Sequence, residues 1–436
     1  MSAHDELLRR HRAVLPGWVA LYYDEPISLV DGEGRHVVDA DGRRYLDFFG
    51  GILTTSVGYN LPEIVEPVRA QAGRMVHTST LYLIEQQIEL AERIAARSNI
   101  PDAKVFLTSS GTEANEAALL FTTNLRRSNQ VLAMRNSFHG RSFGAMAITG
   151  NAGWSASGLS PVQVSYLRGA YRYRSPLRDL ADDAYIAAHV DDLRELLATT
   201  TSGDVACLIA EPIQGVGGFA LPPDGFYGAI AEVLAEHGIL FVSDEVQTGW
   251  GRTGAHEWGI GAHGVVPDAM TFAKGLANGL PIGGIVGRAE LIDAVPANSI
   301  STFGGNPLAA TAALATLDYL DTHDVRANVA REGERLMTAL GEATSLPFVG
   351  DLRGRGLMVG VELVHPGTGE PDAAAAAAVL DACRAEGLLV GKGGLAGNVL
   401  RIAPPMTVTA AEIDHGAGIL LDALSAVGRP HDLAGV

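Results

Sequence analysis

The chain is poor in cysteine: of 436 residues only Cys207 and Cys383 are cysteines, and each lies inside an apolar stretch. That excludes a disulfide framework and suits small core residues in a reducing cytoplasm. No run of 18 or more apolar residues free of charge occurs, so no membrane helix is expected. Met1 to Ala20 carries Glu6, Arg9, Arg10 and Arg12 and lacks the apolar segment of a secretory signal. Basic residues are in deficit, 32 against 50 acidic ones, for a formal net charge of −18. A pI near 5.1 argues against nucleic acid or an acidic membrane as partner. Repeats and low-complexity linkers are also missing. What remains is 47% hydrophobic and 19% charged residues, the composition of a soluble globular protein long enough for two or three cores.

Local patterns give an alternation of strands and helices. A short helix over 5–15 stops at Pro16-Gly17. Residues 27–49 alternate as a small meander with turns at Asp31-Gly32 and Asp41-Gly42. Pro62 to Arg97 is mostly helical, interrupted around His77 to Thr80. Strands are expected at Val105–Leu107, Gln130–Met134, Val205–Ala210, Ile239–Val242, Ala269–Ala273 and Ile282–Val286, with helices such as Glu113–Arg126 and Phe226–His237 between them. That order predicts an α/β protein with a mostly parallel sheet covered on its faces. Long helices follow over Leu308–Tyr319 and Val325–Ala343. Strands at Gly356–Leu363, Leu388–Val390 and Leu400–Ile402 then flank an alanine-rich helix, Ala373–Ala382. Val427–Val436 reads as a loose tail.

Two strand ends stand out chemically. Ile239–Val242 delivers Asp244 and Glu245 side by side, with Gln247 three residues past the aspartate, and Ala269–Ala273 delivers Lys274 before a glycine. In open α/β sheets reactive groups gather at the carboxyl ends of strands, although either charge alone is also what a strand end reaching water looks like. A lysine among apolar residues and glycine can act as an amine nucleophile towards a carbonyl. Thr108-Ser109-Ser110-Gly111-Thr112 lies between a strand and a helix, a natural phosphate seat and equally a plain helix cap. Gly249 to Gly254 fits G-x-G-x-x-G but lies too far past its strand and opens no helix, so it is assigned to a loop. His256-Glu257 and His263 lack zinc-helix spacing, and no metal is expected. An amine, a carboxylate, a phosphate seat and an aromatic plate together are what pyridoxal 5'-phosphate requires.

Leu240 to Gly254, followed by Asp268 and Lys274-Gly275, resembles the cofactor-attachment signature of class III (ω-amino acid) aminotransferases. Ser110 to Asn115, Ser137 to Arg141, Glu211 to Gly215, Thr302 to Pro307 and Leu400 to Pro405 agree with the same family, in its order, from about Ala20 to about Thr407. The resemblance implies pyridoxal-phosphate fold type I: a large domain with a mostly parallel sheet plus a smaller α+β domain. Residues 1–55 would join the small domain, 56–307 form the large cofactor-binding domain and 308–436 the C-terminal small domain. It also implies site roles. Lys274 would form the Schiff base and then move the proton; Asp244 would pair with the pyridine nitrogen and Gln247 with the ring hydroxyl. Ser110, Gly111 and Thr112 would bind the phosphate, Phe138 would stack on the ring, and Thr302 would reach the phosphate of a neighbouring subunit. Arg401 would grip the substrate carboxylate, Glu211 would pair with it when an amine end is present, and Arg141 would serve a second carboxylate.

Phe48 to Ile52, His77 to Tyr82 and Gly354 to Gly360 are similar to the alanine–glyoxylate and β-aminoisobutyrate–pyruvate branch, whereas Tyr59-Asn60-Leu61 departs from the His-x-His-Pro usual there. The expected reaction moves an amino group from an ω- or β-amino acid, or alanine, to pyruvate or glyoxylate in a cytoplasmic homodimer, with a tetramer left open. The alternatives are a same-fold decarboxylase or aminomutase, a transaminase of the acetylornithine, ornithine or 4-aminobutyrate type using 2-oxoglutarate, and a nucleotide-binding protein resting on Gly249–Gly254.

Overall fold

The computed structural model describes residues 3–19 and 21–427; the tail expected beyond Val427 lies outside them. Its centre is a seven-stranded sheet in the spatial order Ala103–Thr108, Gly283–Arg288, Ala269–Phe272, Leu240–Asp244, Val205–Ala210, Gln130–Met134, Gln163–Leu167. The last five run parallel, and Gly283–Arg288 is antiparallel to both its neighbours. The three central strands are buried at every residue. This is why they read as unbroken apolar runs: helices cover both faces. On one face Ala117, Ala118 and Phe121 of the helix Gly111–Arg126 meet Val131, Cys207, Ile209 and Val242. On the other, Leu132, Leu208, Phe241 and Phe272 meet Tyr185, Phe226 and Ile230 from the helices behind them.

A second core forms where the hairpin Val349–Arg355 and Met358–Leu363, with Val399–Ile402, packs on the helices Val325–Leu340, Ala373–Ala385 and Ala410–Val427. The N-terminal meander Leu29–Glu33, His36–Asp39 and Arg44–Asp47 is completed by Leu388–Leu389, parallel to its last strand. The helix Pro307–Thr322 sends Ala309 to Leu317 mostly into the large-sheet core, with Ala315 in the second. It therefore lies between the two cores. Both cysteines are free and buried. Among the described residues no helix is long and apolar enough to cross a membrane.

Among the elements unread in the sequence are two strands and a helix. Gln163–Leu167 is a half-exposed edge strand, and Val349–Arg355 is half-buried throughout and interrupted by Gly350 and Gly354. The helix Asp182–Thr200 buries Tyr185, His189, Leu193 and Leu197. That is one residue per turn, and two of the four are polar-tipped, so the apolar period is hidden.

Candidate active site

Four of the parallel strands end at one place. Beyond Gln130–Met134 come Phe138 and His139; Glu211 follows Val205–Ala210; Asp244 closes Leu240–Asp244; and Lys274 follows Ala269–Phe272. These side chains, with Ser110, Gly111 and Thr112, Arg141 and Gln247, line one cavity of about 330 Å³. The loop after each strand points its first residues over the sheet's carboxyl edge, the usual ligand crevice of such sheets.

Asp244 is buried, and its carboxylate is saturated on the protein side. Oδ2 accepts from Asn115 Nδ2 at 2.8 Å and is 2.7 Å from His139 Nδ1; Oδ1 accepts from the Val246 amide at 3.1 Å. Asn115 is itself fixed by the His139 carbonyl and the Thr271 hydroxyl. Neither Asn115 nor His139 was singled out from the sequence, because nothing local ties a helix residue and a loop residue to a distant strand end. Glu245 turns away from the cavity. Fully buried, it accepts from Ser243, Thr248 and the amides of Gly259 and Ile260. It thereby ties down the loop that contains Gly249–Gly254, which forms turns and no helix.

Lys274 has φ 44°, a left-handed backbone that a non-glycine residue adopts only under constraint. Its amine makes no hydrogen bond or ion pair among the described residues. Burial, and then the nearby Arg401 cation, lower its pKa to about 8. It is thus a cavity amine that deprotonates near neutral pH. Ser110 caps the helix Gly111–Arg126, accepting from the Glu113 amide at 3.2 Å, while Glu113 accepts from the Ser109 amide at 2.6 Å. The capping box and the phosphate seat are therefore the same turn. The amides of Gly111 and Thr112 have no acceptor within the helix and stand at the cavity wall.

Arg401 lies on Val399–Ile402, buried, donating from Nη2 to Gln247 Oε1 at 2.8 Å. Its guanidinium carbon lies 5.3 Å from the centre of the Phe49 ring and 4.6 Å from that of Phe219, and among the described residues its Nε has no partner. Burial lowers its pKa to about 10, still a cation at neutral pH. The Glu211 oxygens accept the amides of Phe138 at 2.9 Å and Gly215 at 2.8 Å, and Arg401 is occupied with Gln247. Burial raises the Glu211 carboxyl to about 7. Phe138 meets Trp154 edge-on at 5.4 Å. Arg141 is exposed at the cavity and makes no ion pair among the described residues. Thr302 is exposed and does not line its own chain's cavity.

A free amine, a buried carboxylate with three donors behind it and a helix start with unused amides fit a phosphorylated pyridine aldehyde. The comparisons with known proteins agree. Residues 21–424 match the family profile described as Aminotransferase class-III. The chain is 36% identical over 415 residues to the alanine–glyoxylate aminotransferase 2 homolog 2, mitochondrial, of Arabidopsis thaliana, covering 94% of this chain and 85% of that protein. It is 38% identical to the acetylornithine aminotransferase of Mycolicibacterium smegmatis, covering 90% and 92%. A solved structure of a thermostable (S)-enantioselective ω-transaminase from Thermomicrobium roseum superposes with a TM-score of 0.90 at 34% identity, covering 97% and 98%. The chain belongs to the class III aminotransferases. It is a pyridoxal-phosphate-dependent transaminase of fold type I, similar to the alanine–glyoxylate branch.

Proposed function

We propose that this transaminase moves an amino group from an ω- or β-amino acid, or from alanine, to pyruvate or glyoxylate. The observation that carries the reading is Arg401: a buried cation with two rings against its guanidinium and, among the described residues, no carboxylate partner and an unused Nε. An arginine fork so placed suits a substrate carboxylate, so donor and acceptor each bring one.

When bound, the cofactor supplies an aldehyde and an electron-accepting ring. Lys274 would be the nucleophile for that aldehyde and the base that carries the proton at the substrate carbon. Asp244 holds the ring nitrogen, steadied by Asn115 and His139. Gln247 gives its oxygen to Arg401, which leaves its amide nitrogen for the ring hydroxyl. Ser110, Gly111 and Thr112 take the phosphate, and Phe138 stacks on the ring.

The working unit is a homodimer in which Thr302 serves the partner's phosphate. In support, Thr302 is exposed beside other outward-facing apolar residues, Ile300 and Phe303, and Leu81 to Leu83 are more than two-thirds exposed. Two free buried cysteines suit a cytoplasmic setting. Arg141, exposed at the cavity without an ion pair among the described residues, favours one second reading: a 2-oxoglutarate-using enzyme of the acetylornithine or 4-aminobutyrate type, whose acceptor brings a second carboxylate. Assaying the loaded protein with alanine and with β- and ω-amino acids against pyruvate, glyoxylate and 2-oxoglutarate decides between them. Preference for 2-oxoglutarate would move the assignment to the second reading. Carbon dioxide release without any acceptor would remove both.

A further inference from the structure

Arg401 can select a carboxylate only if its fork keeps one direction, and the groups that hold it lead to a buried ionic cluster outside the cavity. Arg353, its side chain 10% exposed, donates from Nε and Nη2 to the Gly218 carbonyl at 3.0 and 2.8 Å. Its Nη1 reaches Asp351 at 2.7 Å and Glu362 at 3.0 Å. Glu362 has no exposed side-chain surface, and it also takes Arg174 Nε at 2.6 Å, Asn398 at 3.3 Å and the Tyr171 hydroxyl. Arg353 therefore cannot turn without breaking buried charge-assisted bonds on both sides.

What it holds is a strained turn. Gly218 and Phe219 have φ of 92° and 53°. A phenylalanine keeps that left-handed conformation only where its surroundings over-determine it. The Phe219 ring is fully buried and is the nearer of the two rings against the Arg401 guanidinium. Gly360, directly opposite Arg401 in the strand register, lets the clamped carbonyl come down: a Cβ there would sit 2.8 Å from the Gly218 oxygen.

We propose that Arg353, locked by Glu362, is a positioning residue for the substrate carboxylate: by pinning the Gly218 carbonyl it fixes Phe219 against Arg401 and so sets where Arg401 points. This rests on the reading of Arg401 as the carboxylate-binding residue. It makes a separable claim, since none of Arg353, Glu362, Gly218 and Phe219 lines the cavity. Loss of the clamp weakens amino acid and keto acid alike, because one arginine receives both.

The test uses the cofactor-loaded full chain with Arg353→Met, Glu362→Gln, Phe219→Leu and Arg401→Gln, each checked by thermal melting and by the visible absorbance of the lysine-bound cofactor. KM for donor and acceptor should rise about tenfold or more in the first three, the size of one lost charge-assisted contact, with kcat at saturation changed much less. The inhibition constant of propionate, an unreactive carboxylate, should weaken in parallel, a readout that general loosening does not move selectively. Arg401→Gln should abolish propionate inhibition; if it does not, the reading of Arg401 fails. If Arg401→Gln abolishes it while folded Arg353→Met and Glu362→Gln keep KM and propionate affinity, the clamp proposal alone is overturned. Should the clamp variants not fold, Phe219→Leu, which leaves the cluster intact, decides in the same way.

Discussion

Replacing Asp244 with asparagine separates chemistry from packing at the centre of the site. The carboxylate receives three hydrogen bonds, two on Oδ2 from Asn115 and His139 and one on Oδ1 from the Val246 amide. An asparagine that keeps its oxygen on the Asn115 and His139 side turns an N–H towards the Val246 N–H. One buried donor then loses its acceptor, worth about 1–3 kcal/mol of stability, and the fold survives. The negative charge that would hold a protonated pyridine nitrogen is gone, and loss of one preorganised electrostatic partner costs about 10²–10³ in rate. Single-turnover mixing of the loaded variant with an amino donor, followed by visible absorbance, should show that fall while thermal melting shows only the modest destabilisation. A variant that reacts as fast as the unaltered protein would refute the role of Asp244.

Glu245→Gln is the matching control: it disturbs four buried donors, Ser243 and three that hold residues 248–260. It should cost about 1–3 kcal/mol in a denaturant melt with far less effect on turnover than Asp244→Asn; the reverse ranking would exchange their roles. For Lys274, burial places the amine's pKa at about 8. Below that pH it is a non-nucleophilic ammonium and above it a free amine. Capture of pyridoxal phosphate by the apoprotein should therefore quicken as pH rises through about 8, and a midpoint near an ordinary lysine's would contradict the burial argument.

The parts of the site legible in the sequence are those that end buried strands. Leu240–Asp244 and Ala269–Phe272 are buried at every residue, so Asp244 and Lys274 stand out as the charges at their ends, whereas Glu211 after Val205–Ala210 was marked only by the family resemblance. Which of Asp244 and Glu245 faces the cavity is given by the family resemblance and not by the apolar pattern, because it depends on where the chain leaves the sheet. The structure sends Glu245 to the amides of Gly259 and Ile260. The partners of Asp244 were hidden for a different reason. Asn115 and His139 lie 129 and 105 residues away along the chain, and only closure of the sheet brings them together. The Arg353 clamp joins three separated segments through a backbone carbonyl, and a carbonyl leaves no trace in residue identity. The helix Asp182–Thr200 escaped because Tyr185 and His189 occupy its buried stripe.

The central claim is that one particular amine holds the cofactor, and the composition makes it directly testable. The chain has only three lysines, Lys104, Lys274 and Lys392, and Lys104 is an exposed residue paired with Asp293. Borohydride reduction of the loaded protein, digestion and peptide mass mapping should place one cofactor adduct on the peptide containing Lys274 and none on the other two. An adduct on Lys104 or Lys392 instead, or no reducible adduct at all, would contradict the site described above.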